Sequence, residues 1–276
     1  MRILLTNDDG LRAPGMEILR KIAAEISDDV WVVAPDSEQS AASRGVSLHN
    51  PVRVIKSSDK VYSVTGTPTD SVILALKDVM KEAPPDLVLS GVNRGQNIAE
   101  DISFSGTVAG ALQGMQMGVP SISLSLAKGL QRQASKPDAS HSNPEPAKNE
   151  GRLRYSRLEW DTALSYGPKL IKDLLAIGWP STVVMNINFP DCPPDEVKGI
   201  EVTRQGHRDF QMTGVDKRAH PRGGSYFWMT YGAQKSNPPS GTDIRAIYDG
   251  YISVTPLHVD LTHVQTLDKL SKSLNS

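Results

Sequence analysis

The hydrophobic pattern of the first half of the chain alternates between short apolar runs and helical spacings. Continuous apolar runs at residues 3–5 and 30–34 are typical of parallel strands that are buried on both faces. Between them, apolar residues recur every three or four positions from Met16 to Ile26, and Pro14 fits the first turn of a helix. This order predicts consecutive strand–helix–strand units.

The remainder of the chain continues this alternation. We predict further strands at residues 46–54, 60–64, 86–90, 120–126, 183–188 and 250–255, helices at 69–80, 105–117, 158–177 and 263–274, and hairpins within 198–232. Strands and helices in this order predict a Rossmann-like α/β fold, which is a mostly parallel sheet with helices on both faces. A β-rich excursion is predicted in the C-terminal part.

One segment, at about residues 128–157, departs from the pattern. It is rich in Ser, Pro, Asn, Lys and Arg and shows neither a helical nor a strand period. We interpret it as a flexible, exposed insertion in a single domain that spans residues 1–276.

Composition and charge narrow the classes of protein to which the chain can belong. The formal net charge is −1 and the isoelectric point is near 6.6. These values remove the electrostatic argument for a stable nucleic-acid partner or a membrane surface. The one cysteine, Cys192, excludes an internal disulfide framework and a multi-cysteine zinc site. Because the N-terminus opens as a strand without signal-peptide features, we expect a cytoplasmic protein.

Three polar loops follow predicted strands, at residues 6–10, 36–44 and 90–105. In doubly wound sheets, ligands bind at the carboxyl ends of the strands, where such loops lie. The sharpest feature is the adjacent pair Asp8 and Asp9, since two carboxylates at the end of a buried strand repel each other unless a cation lies between them. Hard divalent ions prefer such oxygen ligands. The alternative is that Asp9 caps the next turn while Asp8 points to solvent.

Neutral oxygen donors in the other two loops favour the metal hypothesis. Asn93 offers an amide oxygen in a loop whose glycines permit close backbone approach, although a turn rich in Asn and Gly would look the same. In the second loop Ser37, Ser40 and Ser43 could each supply an oxygen ligand. Their spacing alone does not choose among them.

The run Ser103-Phe104-Ser105-Gly106-Thr107 begins a predicted helix. The unpaired N–H groups and positive dipole end of a helix attract phosphate, and hydroxyl side chains add donors. Ordinary N-capping by Ser103 or Ser105 is the alternative. His207, between Arg204 and Arg208, belongs to a segment that could hold a substrate phosphate or base, or could form surface ion pairs.

Several familiar catalytic signatures are absent from the sequence. It contains no G-x-G-x-x-G after the first strand, no G-x-x-x-x-G-K-[ST] and no G-x-S-x-G. A receiver-type signalling domain would need an aspartate after the third core strand, where this chain has Asn93, so that class is excluded. An aspartate-nucleophile phosphatase would need D-x-D after the first strand, a spacing that Asn7-Asp8-Asp9 does not have. A non-catalytic nucleotide- or metal-binding module remains the alternative that only an assay distinguishes.

Ordered motifs along nearly the whole chain resemble the SurE (survival protein E) family of 5′/3′-nucleotidases. They are Arg-Ile-Leu-Leu-Thr-Asn-Asp-Asp-Gly at the start, Ala34-Pro35-Asp36-x-x-x-Ser40, Gly66-Thr67-Pro68-Thr69-Asp70, Ser90-Gly91-Val92-Asn93-x-Gly95-x-Asn97, Ser105-Gly106-Thr107-Val108, Asn186-Ile187-Asn188-Phe189-Pro190 and residues 250–257. The segment at 128–157 lies outside the resemblance. Phe104 also departs from it, since a tyrosine or histidine often precedes Ser-Gly-Thr.

This resemblance implies a phosphomonoesterase that hydrolyses nucleoside 5′- and 3′-monophosphates with metal-activated water, with short polyphosphate as a further substrate. The resemblance implies one divalent ion per subunit, Mg²⁺ or Mn²⁺ with Ca²⁺ able to occupy the site, on the ligands Asp8, Asp9, Ser40 and Asn93. It places the substrate phosphate near Asn97, Ser105, Gly106 and Thr107. It also implies a homodimer or homotetramer that uses residues 190–276. We expect Asp8 or Asp9 to accept the proton of the attacking water, although metal-bound carboxylates are weak bases.

Overall fold

A nine-stranded sheet forms the centre of the molecule. In this computed structural model the described residues are 1–128, 150–209, 213–220, 223–231 and 236–274. The strands are β1 (Arg2–Thr6), β2 (Asp29–Pro35), β3 (Val54–Ser58), β4 (Val61–Val64), β5 (Leu87–Arg94), β6 (Ser121–Leu126), β7 (Val184–Phe189), β8 (Ile200–Val202), β9 (Thr213–Ala219), β10 (Ser225–Tyr231) and β11 (Ile252–Leu257).

The strand order in the sheet is β3-β4-β2-β1-β5-β6-β7-β11-β8. Only the pairs β3–β4 and β7–β11 are antiparallel, so the predicted mostly parallel sheet is confirmed. The predicted β-rich excursion is also present, because β9 and β10 form a separate antiparallel hairpin. Its role in oligomerisation stays a prediction.

Helices cover both faces of the sheet. They are α1 (Pro14–Ala24), α2 (Pro68–Leu74), α3 (Gly106–Gln116), α4 (Glu150–Ile177), α5 (Asp243–Asp249) and α6 (Val264–Leu274). Alternate residues of one strand serve different faces: Ile3 and Leu5 pack in the core that contains α1 and α4, whereas Leu4 packs in the core next to α2. Among the described residues no helix is long and apolar enough to cross a membrane.

Helix α3 approaches the sheet closely because glycines line its inner face. A Cβ atom on Gly114 would lie 2.5 Å from Ser121 Oγ, and one on Gly110 would lie 2.9 Å from Ser90 Oγ. Neither position tolerates a side chain without movement of its neighbours. This contact sets the N-terminus of α3 directly beside the end of β1.

Several element boundaries differ from the sequence prediction. The strand predicted at residues 46–54 is wrong for most of its length, since β3 begins only at Val54. The strand predicted at residues 86–90 continues through Gly91 to Arg94, and the helix predicted from about residue 158 begins at Glu150. The helix α5 was not predicted. Of the predicted insertion, residues 129–149 lie outside the described residues.

Candidate active site

The three polar loops meet at the carboxyl edge of the parallel strands. The backbone N–H of Gln39, in the second loop, donates to the carbonyl oxygen of Asp8 at 2.7 Å. Ser43 of the same loop donates its hydroxyl to the carbonyl oxygen of Ser103 at 2.7 Å and its backbone N–H to that of Phe104 at 3.2 Å. The second loop is therefore bonded to the first loop and to the segment that begins α3.

Asp8 is buried against the start of α3. Its carboxylate accepts a hydrogen bond from the hydroxyl of Thr107, and only 5% of the residue is exposed. A Cβ atom on Gly106 would lie 2.6 Å from Asp8 Cβ, so the helix can approach this carboxylate only with glycine there. Burial raises the pKa of Asp8 to about 6. The hydrogen bond from Thr107 lowers this pKa, and the charge of Asp9 raises it by a smaller amount than burial does. A cation beside this carboxylate would offset the cost of its burial.

Asp9, whose charge interacts with that of Asp8, lines an open cavity of about 570 Å³. Burial raises the pKa of Asp9, and the charge of Glu38 adds to the increase, whereas the backbone N–H and the charge of Arg94 lower it. The cavity is lined by Asp9, Gly10, Arg12, Ala13, Pro14, Asp36, Glu38, Ser40 and Arg94. Its volume is within the range of small-molecule sites.

Of the three candidate serines in the second loop, Ser40 is the one that lines this cavity together with Asp9. Its hydroxyl donates to the Glu38 carboxylate at 2.8 Å, which leaves the lone pairs of the oxygen able to coordinate an ion. Ser37 donates instead to Asp36, and Ser43 donates to the Ser103 carbonyl described above. The cavity thus favours Ser40 over its two neighbours.

Asn93 lies near the end of β5, next to Arg94. Its amide nitrogen donates to the carbonyl oxygen of Gly95 at 2.9 Å, so the amide oxygen is the atom that could coordinate an ion. Among the described residues no group of three or more His, Cys, Asp or Glu side chains could hold a metal. The candidate ligands Asp8, Asp9, Ser40 and Asn93 offer two carboxylates and neutral oxygens, a set that suits a hard divalent cation.

The candidate phosphate-binding residues occupy two different environments. Ser105 is the N-cap of α3 and accepts the backbone N–H of Val108 at 3.0 Å, as expected of ordinary capping. Gly106 and Thr107 follow directly and are fully buried beside Asp8. The helix start is therefore adjacent to Asp8.

Asn97 is instead the centre of a buried amide network. Its side-chain nitrogen donates to Ser125 Oγ at 2.8 Å, and its backbone N–H donates to Asn188 Oδ1 at 2.8 Å. Its carbonyl oxygen accepts from the side chains of Asn186 at 2.9 Å and Asn188 at 3.1 Å. These bonds fix the third loop, and direct contact of Asn97 with phosphate stays a prediction.

Sequence reasoning missed residues that fix the loop after Asn97 in place. Asp243, at the start of α5, is buried and accepts backbone N–H groups from Ala99 at 2.9 Å and Gly206 at 2.8 Å. Burial raises the pKa of Asp243, and these bonds lower it. Arg208, named only as a candidate for phosphate or ion pairs, forms ion pairs with Glu100 at 3.2 Å and Asp101 at 2.6 Å. No local motif marks Asp243, because its partners are far away in sequence.

Comparison with known proteins shows the family to which the chain belongs. A sequence model described as Survival protein SurE matches residues 3–212. A protein of Hyphomonas neptunium named 5′-nucleotidase SurE is 52% identical over 276 residues and covers 100% of both chains. One of Caulobacter vibrioides with the same name is 51% identical over 98% of this chain and 95% of its own. The crystal structure of the SurE protein from Aquifex aeolicus superposes with a TM-score of 0.75 at 34% identity, over 99% of both chains.

Proposed function

We propose that this chain, which belongs to the Survival protein SurE family, is a metal-dependent phosphatase that hydrolyses nucleoside 5′-monophosphates to nucleoside and phosphate. The observation that carries the proposal is the placement of Asp8 against Gly106 and Thr107. An acidic ligand for a divalent ion and a helix N-terminus for phosphate thereby share one position. The two relatives of the chain that are named 5′-nucleotidase SurE are similar to it over 100% and 95% of their own lengths.

The ligand set that we propose is Asp8, Asp9, Ser40 and Asn93, with Mg²⁺ or Mn²⁺ as the ion. The buried carboxylate of Asp8, whose pKa is raised to about 6, fits a site that binds a cation. When bound, such an ion supplies charge neutralisation for the phosphate and a more acidic water. Calcium, with the same preference for oxygen ligands, would also fit.

The residues of the chain itself would orient the ester. The positive dipole end of α3, which begins at Gly106, would stabilise negative charge on the non-bridging oxygens of a phosphate bound there. Thr107 fixes the orientation of the Asp8 carboxylate through its hydroxyl. Asp9, which faces the cavity, is the better placed of the two carboxylates to accept a proton from the attacking water.

The partners of the chain follow from its substrate and its exposed surfaces. Nucleoside 5′-monophosphates are the substrates, and 3′-monophosphates and short polyphosphates are proposed as further ones. We propose a homodimer or homotetramer because two elements of the C-terminal part expose apolar side chains. They are Phe227, Trp228 and Met229 on β10, and Val264, Leu267, Leu270 and Leu274 on α6. A cytoplasmic location stays a prediction.

The test measures phosphate release from a panel of nucleotides with and without Mg²⁺ or Mn²⁺. Asp8→Asn is expected to lower kcat/KM roughly a hundredfold or more, because it removes a charged ligand next to the reacting phosphate. Asp161→Asn is the matched control, since that carboxylate is exposed on α4. Folded wild-type protein that binds the ion but releases no phosphate would show that the site serves binding alone. An Asp9→Asn enzyme with normal metal binding and full turnover would exclude Asp9 as the proton acceptor.

A further inference from the structure

Phe104 is a large apolar residue exposed directly beside the proposed phosphate site. It precedes Ser105, the N-cap of α3, and 54% of its surface is exposed. Of the four phenylalanines in the chain, Phe189 is by contrast fully buried in the core. An exposed phenyl group carries an unfavourable contact with water, which a flat ligand could remove.

The backbone of Phe104 is fixed although its side chain is exposed. Its N–H donates to the carbonyl oxygen of Asp101 at 3.0 Å, and its own carbonyl oxygen accepts the N–H of Ser43 at 3.2 Å. Asp101 in turn pairs with Arg208 at 2.6 Å. A ring on a fixed backbone loses little further freedom when a ligand stacks on it.

Among the residues that the structure describes, those that line the cavity beside Asp9 include no aromatic side chain. The residues that line the cavity beside Asp9 are polar, charged or small, and the residues that follow Phe104 are Ser105, Gly106 and Thr107. A nucleotide differs from a simple sugar phosphate by its base, whose flat face gains most from an aromatic ring. A base joined through its ribose to a phosphate at the start of α3 would lie outside that segment, and Phe104 is the exposed aromatic residue next to it in sequence.

We infer that Phe104 is a specificity-determining residue on which the base of the nucleotide stacks. This inference rests on the proposed function and deepens it, because it names the part of the enzyme that distinguishes a nucleotide from other phosphomonoesters. Stacking on a phenyl ring tolerates any base, so the residue favours nucleotides as a class without choosing among them. Its contribution acts on substrate binding and leaves the hydrolytic step to the residues around Asp8.

The test compares two substrates that carry the same phosphate on the same sugar, AMP and ribose 5-phosphate. In Phe104→Ala the KM for AMP is expected to rise about tenfold, an order of magnitude typical for the loss of one base–aromatic contact. The kinetics with ribose 5-phosphate and the kcat with AMP should stay within about twofold of wild type. Phe104→Trp should keep the preference for AMP, whereas Phe104→Leu, which keeps apolar bulk without a π face, should lose most of it.

Two control variants make the outcome decisive. Ile177→Ala shortens another exposed apolar side chain, at the end of α4, and should change neither substrate. Arg12→Ala tests the cavity, because a guanidinium can also stack on a base. If Arg12→Ala raises the KM for AMP alone and Phe104→Ala does not, the base lies in the cavity and the inference is wrong. It is equally wrong if Phe104→Ala slows both substrates alike.

Failure of the proposed function would give a different result. A wild-type enzyme that releases phosphate from neither AMP nor ribose 5-phosphate with any divalent ion contradicts the phosphatase assignment itself. A wild-type enzyme that turns over both substrates, with an AMP preference that Phe104→Ala leaves unchanged, contradicts only the role of Phe104.

Discussion

The substitution Gly106→Ala should disable the proposed site while the fold survives. A methyl group at this position would lie 2.6 Å from Asp8 Cβ and 2.9 Å from Asp8 Oδ2. Carbon atoms that are not bonded pack at about 3.5–4.0 Å, so one partner has to move by about 1 Å. The backbone of Asp8 is fixed by the N–H of Gln39, and α3 is fixed by its glycine contacts with the sheet. Because Cβ is attached directly to the backbone, rotation of the Asp8 side chain cannot relieve this clash, so Asp8 and the start of α3 have to shift apart against these contacts and the carboxylate is displaced with them.

The expected effects on stability and on activity differ in size. Overpacking costs about 1–3 kcal/mol, and replacement of glycine by alanine in a helix returns about 0.5–1 kcal/mol. The free energy of unfolding should thus fall by only about 1–2 kcal/mol. A displacement of about 1 Å at a reacting centre lowers turnover by about a hundredfold. We therefore expect kcat/KM for AMP to fall by that factor in a folded protein.

Gly114→Ala is the matched control for this variant. Its methyl group would lie 2.5 Å from Ser121 Oγ and 2.8 Å from Val88 Cγ2. The clash is similar and on the same helix, but it is with strands β5 and β6 and not with Asp8. Urea unfolding should give a comparable loss of stability, whereas kcat/KM should stay within about threefold of wild type. If Gly106→Ala keeps wild-type kcat/KM, or if Gly114→Ala loses as much activity as Gly106→Ala, the reasoning from this contact is refuted.

Two further predictions concern buried carboxylates. In metal-free protein the pKa of Asp8 is raised from 3.8 to about 6, so the folded state binds its proton more tightly than the unfolded state does. The free energy of unfolding should therefore fall as pH rises from about 4 to about 6, by up to about 3 kcal/mol. Urea titrations with a chelator at several pH values check this, and an equally steep fall in Asp8→Asn would contradict it. Asp243→Ala should cost about 3 kcal/mol or more, because backbone N–H groups of Ala99, Gly206 and Ile244 lose their buried acceptor. Asp249→Ala on the same helix, whose side chain is 47% exposed, should cost less than about 1 kcal/mol, and equal losses in the two variants would exclude a special role for Asp243.

The central strands could be predicted because each one carries its signal locally. Leu4 and Leu5 of β1 are fully buried on opposite faces, and a continuous apolar run is what such burial requires. The segment at residues 46–54 shows the opposite case. Its apolar residues alternate, but Leu48 is 80% exposed and Ser47 bonds to the Asp70 side chain, so a side-chain contact far along the chain fixes it as a loop.

Helix α5 was missed although its ends carry ordinary signals. Thr242 is its N-cap and accepts the N–H of Arg245, and Gly250 ends the helix with a φ of 87°. Between these ends lie only seven residues, Asp243–Asp249, which are too few for a helical period to stand out. Short helices of this kind are stabilised by what they contact, here through the buried Asp243.

The position of the candidate site was predictable for a topological reason, whereas its supports were not. Parallel strands bring their carboxyl ends to one edge, so Asp8, Asp9 and Ser40 had to lie on neighbouring loops once the strands were placed. Arg94, which lines the cavity with Asp9, was not predicted, because an arginine at the end of a strand has many ordinary uses. Burial and the charge of Glu38 raise the pKa of Asp9, and the backbone N–H and the charge of Arg94 oppose this increase.

The third loop of the site depends on residues that lie far beyond it in sequence. Asn97 bonds to Asn188, 91 residues away, and Ala99 bonds to Asp243, 144 residues away. The residues from Asn97 to Phe104 therefore take their conformation from β7 and α5, and the start of α3 follows them directly. Because the same short segment carries both the proposed phosphate site and the exposed ring of Phe104, the C-terminal half of the chain fixes the segment where we propose that substrate binds, even though none of the proposed metal ligands belongs to it.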